Sequence, residues 1–160
     1  MISPIDIYSV IKYGELFSVK IGSSESELLD LLNNEDIEKI STCSGSDCLK
    51  MILWENIEFH VFDGMIISII IKIQKSRSKQ TFFIVDANQK ISYRSTLEKI
   101  IKIFYNEEIE WKFYTEHCHE KQVEIITEGS ATLEFIELRG SICLNKIRLT
   151  EIDSFDVCVG

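Results

Sequence analysis

The side chains with the most chemical reach in this 160-residue chain are its three histidines and five cysteines. His117-Cys118-His119 would set two imidazoles on one face of a strand, which is the start of a metal site. A structural zinc site needs four ligands, and no second pair stands at a suitable spacing, so exposed strand residues are the simpler reading. Cys43 and Cys48 flank Ser44-Gly45-Ser46-Asp47, which reads as a loop because the spacing is not that of a Cys-x-x-Cys redox pair. With Cys118, Cys143 and Cys158 they make an odd number without framework spacing, as reduced thiols do. No Gly-rich phosphate loop, nucleophile elbow or His-Glu-x-x-His motif occurs. Nothing among the 26 acidic residues singles out a catalytic pair, since general acid and base groups must converge in a pocket. The expectation is a protein that is not an enzyme and uses no metal or cofactor.

What is left is non-covalent chemistry, and there the charge is informative. Twenty-six acidic against 17 basic residues give a net charge of -9. Such a field repels nucleic acid and anionic membranes and draws basic partners inward, although acidity also serves solubility alone. The one basic cluster, Lys72, Lys75, Arg77 and Lys79, reads as a solvated junction rather than a phosphate grip. The longest apolar stretch, Met65 to Ile73, is broken by Ser68 and Lys72 and is too short to span a bilayer. Met1 to Val10 has no basic segment followed by a long apolar run, so the expected location is cytoplasmic.

The elements that would position these groups follow from periodicity. Hydrophobic residues form 45% of the chain, and 27 Ile against 2 Ala favour strands, because branched side chains fit a pleated surface. Ser3-Pro4-Ile5-Asp6 opens a helix over 4–13 that Gly14 can close, and Phe17 to Ile21 reads as a short strand. Ser24-Glu25-Ser26-Glu27 has capping-box form before a helix with an apolar face of Leu28, Leu29, Leu31 and Leu32. Leu49 to Trp54, Ile57 to Phe62 and Met65 to Ile73 read as three antiparallel strands, separated by Glu55-Asn56 and by Asp63-Gly64. In the third strand Ile67, Ile69, Ile71 and Ile73 share one face, and Ile66, Ser68, Ile70 and Lys72 the other.

The order of elements then recurs. An offset of 72 residues brings Ser23 onto Ser95, Leu28 and Leu29 onto Ile100 and Ile101, and Leu31 and Leu32 onto Ile103 and Phe104. It also carries Asn34-Glu35-Asp36-Ile37-Glu38 onto Asn106-Glu107-Glu108-Ile109-Glu110. An offset of 76 places Ile57-Glu58-Phe59 on Leu133-Glu134-Phe135, Gly64 on Gly140 and Ile71 on Ile147. The predicted fold is α+β, one domain over 1–160. In it two diverged repeats, about 17–74 and 91–152, each run a helix and then antiparallel strands, share one sheet and keep their helices on one face. The opposite face is the candidate binding surface. If Ile57, Phe59 and Val61 point to the helices, then Glu58, His60 and Phe62 point away, with Glu134, Ile136 and Leu138 from the second hairpin and Tyr114, Glu116 and Glu124 from intervening strands. Acidic groups mixed with aromatics and aliphatics are the usual makings of a protein-binding surface.

Val19-Lys20-Ile21-Gly22 followed by a short capped helix, then Leu53 to Phe62 and the Asp63-Gly64 hairpin into Met65 to Ile73, resembles a family of small bacterial proteins. Many of them are encoded beside polymorphic or contact-dependent growth inhibition toxins and are thought to be their immunity proteins. The resemblance spans Phe17 to Ile73 and, in the second half, the helix and the Leu133-Glu134-Phe135 hairpin. Asn33-Asn34 stands where the family has Gly, and Trp54-Glu55 replaces its Tyr-Gly. The tandem layout is also similar to that of beta-lactamase inhibitor proteins, whose two repeats present a concave sheet to an enzyme. The resemblance implies an antitoxin that occupies the active site or substrate cleft of one cognate toxin. An acidic inhibitor would complement the basic cleft of a toxin that acts on nucleic acid. Two other readings stand beside it: a small enzyme with its site in the groove between repeats, and a scaffold module that dimerises through Ile66 and Ile70.

Overall fold

The computed structural model describes residues 5–32, 37–42, 48–73, 82–83, 89–151 and 155. Ser3-Pro4, Asn33 to Asp36, Cys43, Cys158 and the basic residues Lys75, Arg77 and Lys79 lie outside them. The protein is α+β and dominated by one large antiparallel sheet.

The chain opens with β1 (Ile5–Asp6), α1 (Tyr8–Tyr13) and a small hairpin of β2 (Glu15–Leu16) and β3 (Val19–Lys20). Helix α1 starts four residues later than expected, because Ile5 and Asp6 pair in parallel with Phe82 and Phe83 in a strand. Gly14 closes it at φ 70°, as its type predicts. Helix α2 (Glu25–Leu31) carries the full reciprocal capping box of Ser24 and Glu27. Leu28 is fully buried and Leu32 nearly so, but Leu31 is exposed, so the apolar face is narrower than four leucines suggested.

Strands β4 (Ile37–Thr42), β5 (Leu49–Trp54), β6 (Ile57–Phe62) and β7 (Met65–Lys72) follow. The short strands β8 (Phe82–Phe83) and β9 (Lys90–Ile91) lead to α3 (Leu97–Asn106). Then come β10 (Trp111–Phe113), a 3-10 turn at Thr115–His117, β11 (Gln122–Thr127), β12 (Thr132–Leu138) and β13 (Ser141–Thr150). Eight of these strands form one sheet in the order β10-β11-β12-β13-β7-β6-β5-β4, with β7 and β13 paired antiparallel at its centre. The Asp63-Gly64 and Arg139-Gly140 turns both have positive φ at their two central residues, the mirror-image geometry that suits a twisted hairpin.

Strand alternation divides the sheet cleanly. Ile57, Phe59, Val61, Ile69 and Ile71 from one half and Ile125, Leu133, Phe135, Leu144 and Ile147 from the other are buried on one face. Val10, Ile11, Leu28, Ile100 and Phe104 of the three helices belong to the same apolar cluster. The register of β6 and β7 shifts between His60 and Val61, which turns Ile66 inward opposite Val61. Ile66 is therefore fully buried and not on the outer face, so a dimer surface through Ile66 and Ile70 loses one of its two contacts.

Where α1 meets the β11–β12 turn, Gly129 N–H donates to Ile11 O at 3.2 Å and the Thr127 hydroxyl donates to the same oxygen at 2.6 Å. A Cβ on Gly129 would lie 2.6 Å from Ile11 O and 2.7 Å from Gly14 N, both backbone atoms that cannot swing aside. Gly129→Ala should therefore cost about 1–3 kcal/mol, read as a lower urea midpoint with an unchanged slope.

Candidate functional site: the open face of the sheet

On the face away from the helices the register builds two rows. In one, Glu58 of β6 opposes Ile70, Ile70 opposes Arg148, and Arg148 opposes Thr132. In the other, Lys72 opposes Lys146, Lys146 opposes Glu134, and Glu134 opposes Glu124. Like charges thus stand directly opposite one another twice, which is unfavourable unless each finds a counter-charge opposite it on the other side or on a diagonal. Each does. Lys72 pairs with Glu58, Lys146 with Glu134 at 3.1 Å, and Arg148 with Glu124 at 3.3 Å. Arg148 reaches Glu124 from two strands away, a span of roughly 10 Å between strand axes. The small Thr132 directly opposite it leaves the route open.

Glu124 is the most enclosed of these acids. Its side chain is 3% exposed, and besides Arg148 it accepts from Gln122 Nε2 at 2.9 Å and meets His117 Nδ1 at 2.8 Å. Tyr114 stacks on the His117 ring with centroids 4.0 Å apart. Glu134 is also buried and accepts from Asn145 Nδ2 at 2.5 Å.

Glu58 carries opposing influences. Burial raises its pKa, but the hydrogen bond and charge of Lys72, aided by His60, outweigh that and hold it below the usual carboxylate range. His60 Nε2 stands 3.5 Å from the second Glu58 oxygen, in ion-pair range but without a hydrogen bond, and is enclosed there. A carboxylate held ionised is suited to pairing with cations and not to donating a proton at neutral pH. Because its folded pKa is depressed, Glu58 contributes stability above the unfolded carboxylate pKa, and that contribution is lost as pH falls through the folded value. Glu58→Gln should therefore flatten the fall in urea midpoint between pH 5 and the acid limb, with little change in the shape above pH 6.

The residues singled out from the sequence fall into three groups. Glu58, His60, Glu124, Glu134 and Ile136 lie on the open face as alternation predicts, and Phe62, 49% exposed, sits on it at the hairpin end opposite Met65. The expectation of an exposed acidic patch is corrected for Glu124 and Glu134, which are buried because Arg148 and Lys146 of β13 neutralise them. Tyr114 and Glu116 are not strand residues. Tyr114 precedes the 3-10 turn, and Glu116 is exposed within it. His117 and His119 do not share a strand face either, for His117 ends that turn and is committed to Glu124. Among the described residues no three His, Cys, Asp or Glu side chains converge where a metal would sit.

Alternation along the third strand set Lys72 on this face, but sequence reasoning passed over Lys146 and Arg148 as members of it. The recognisable signal was the spacing of Lys146 and Arg148, two residues apart on one strand and therefore on one side of it. Among the described residues no helix is long and apolar enough to cross a membrane. No family model matches the chain, and neither the curated proteins nor the solved structures searched contain a match.

Proposed function

We propose that the chain is an immunity protein that neutralises one cognate bacterial toxin by laying the open sheet face against it. The observation that carries this reading is the charge lattice on that face. Three carboxylates and three cations drawn from five strands of one sheet are held in position by mutual pairing. A surface ordered before contact loses little side-chain entropy on binding, and a fixed pattern of sign selects one partner over others. The face itself is nearly balanced, so the net charge of -9 acts at longer range, speeding encounter with a basic toxin.

We also infer that the two halves are diverged copies of one unit sharing the central sheet. Lys20 N–H donates to Ser23 Oγ at 3.1 Å, and 72 residues on Ser92 N–H donates to Ser95 Oγ at 3.0 Å. Ile66 N–H donates to Ser23 O and Leu144 N–H to Ser95 O. Ile57 opposes Ile71 as Leu133 opposes Ile147, an offset of 76. At the seam Ile71 faces Ile147, its counterpart at that offset, as a local two-fold relation requires.

The test is kinetic. A pull-down from the native host should return a protein whose toxicity the chain abolishes. On that partner Phe62→Ala should speed dissociation by about tenfold or more if it is an anchor, while Tyr105→Ala on the far side changes nothing. Glu58→Lys should slow association and weaken its salt dependence. Rates unaffected by both face substitutions would remove the interface from the sheet.

A further inference from the structure

At the tip of its hairpin the second half holds a cavity of about 580 Å³ whose origin lies in a difference between the two hairpins. In the first half the turn closes directly on the start of α2. Met65, the residue after Gly64, bridges to Ser24, and Glu25 N–H donates to Gly64 O at 2.8 Å. In the second half the matching bridge joins Thr96 to Cys143, three residues beyond Gly140. The β12–β13 hairpin thus runs about two residues, roughly 7 Å, past its contact with the start of α3, and its tip overhangs. The cavity lies beneath this overhang, with Leu138, Arg139 and Ser141 on the tip side and Tyr93, Arg94 and Thr96 across from them.

Two guanidiniums face one cavity in a chain with nine more acids than bases. Arg94 is held over the Tyr93 ring, 5.3 Å from its centre. Among the described residues neither Arg94 nor Arg139 forms an ion pair with a carboxylate; Lys20, Lys90, Lys99, Lys112 and Lys121 form none either, but Arg94 and Arg139 line a common cavity. The matching turn of the first half has Asp63 where the second has Arg139. Leaving two planar five-donor groups unpaired around a hollow is the arrangement that a phosphate or carboxylate fills, since either accepts paired N–H bonds from a guanidinium. Tyr93 and Leu138 add an aromatic and an aliphatic wall, and the volume lies within the range of small-molecule sites.

We propose that this cavity binds a small organic oxyanion, its phosphate or carboxylate clasped between Arg94 and Arg139 and its apolar part against Tyr93 and Leu138. The site lies at the hairpin end of the sheet, away from the Glu58, Lys72 and Arg148 pairs, and its test reads small-molecule binding alone, so its fate does not depend on the toxin reading. Nuclear magnetic resonance titrations of the full chain with inorganic phosphate, phenyl phosphate and phenylacetate test it, with sodium chloride as the ionic-strength control. Saturable shifts at the Arg94 and Arg139 side chains and the Ser141 amide are expected, with phenyl phosphate binding at least about fivefold tighter than inorganic phosphate. The tighter of the two phenyl compounds identifies the oxyanion. Arg94→Gln and Arg139→Gln, both at exposed positions, should each weaken binding about tenfold without altering the thermal midpoint. Shifts that never saturate, that follow chloride alone, or that persist in the double variant would overturn the proposal.

Discussion

Truncating Phe59 or Phe135 to Ala should lower the unfolding free energy by about 3 to 5 kcal/mol in each case, the range for a buried aromatic whose cavity cannot collapse. Both side chains are fully buried. Phe59 sits between Ile52 on β5 and Ile69 on β7, and Phe135 between Val123 on β11 and Leu144 on β13. With branched or bulky neighbours on both flanks and helices above, neither site has a side chain that can swing into the space left behind. If the halves are copies, the two losses should agree within about 1 kcal/mol, and the Leu variants should each recover most of the loss. Urea titrations of the four variants provide the measurement. A loss below about 1 kcal/mol at either position would mean that it is not a core site, and widely different losses would weaken the duplication.

The second large effect belongs to the open face. Arg148→Met should destabilise by about 3 to 5 kcal/mol, because it leaves the Glu124 carboxylate, 3% exposed, without its guanidinium. His117 and Gln122 remain as partners and set the lower end of that range. Adding Glu124→Gln to Arg148→Met removes the stranded charge and should restore a good part of the lost stability, so the cycle yields a coupling energy of the order of 1–3 kcal/mol. Simple additivity of the two single changes would show that the pair is not coupled. The same experiment decides how Glu124 is to be regarded, since a carboxylate essential to the sheet cannot be altered to probe binding alone.

What could be read from the sequence was whatever depends on neighbours in the chain. Glu55-Asn56 and Asp63-Gly64 mark the ends of β5, β6 and β7, and those strands fall where the turn residues place them. Ser24 with Glu27, and Gly14, fix helix ends through bonds within a few residues. What depends on pairing across the sheet was not legible. Alternation along β7 assigns Ile66 to the outer face, and only the shift against β6 at His60 and Val61 turns it inward. Glu124 and Glu134 look like surface acids until β13 brings Lys146 and Arg148 beside them. Strands of two residues such as β1 and β8 carry no period at all, which is why Ile5-Asp6 reads as a helix start.

The central seam also bears on how the chain is made. β7 and β13 pair through Ile71 and Ile147, which are 76 residues apart. At about 5 to 20 residues per second, a ribosome needs roughly 4 to 15 seconds to deliver the second strand after the first has emerged. During that interval β7, already bonded to β6 on one side, offers an open edge lined with Ile69 and Ile71 on its apolar face, the kind of edge to which other strands adhere. Neighbouring nascent chains on one message carry the same edge at the same moment. Crowded translation would therefore favour pairing of β7 with β7 between chains, and slow synthesis of the second half would lengthen the time in which that error is made.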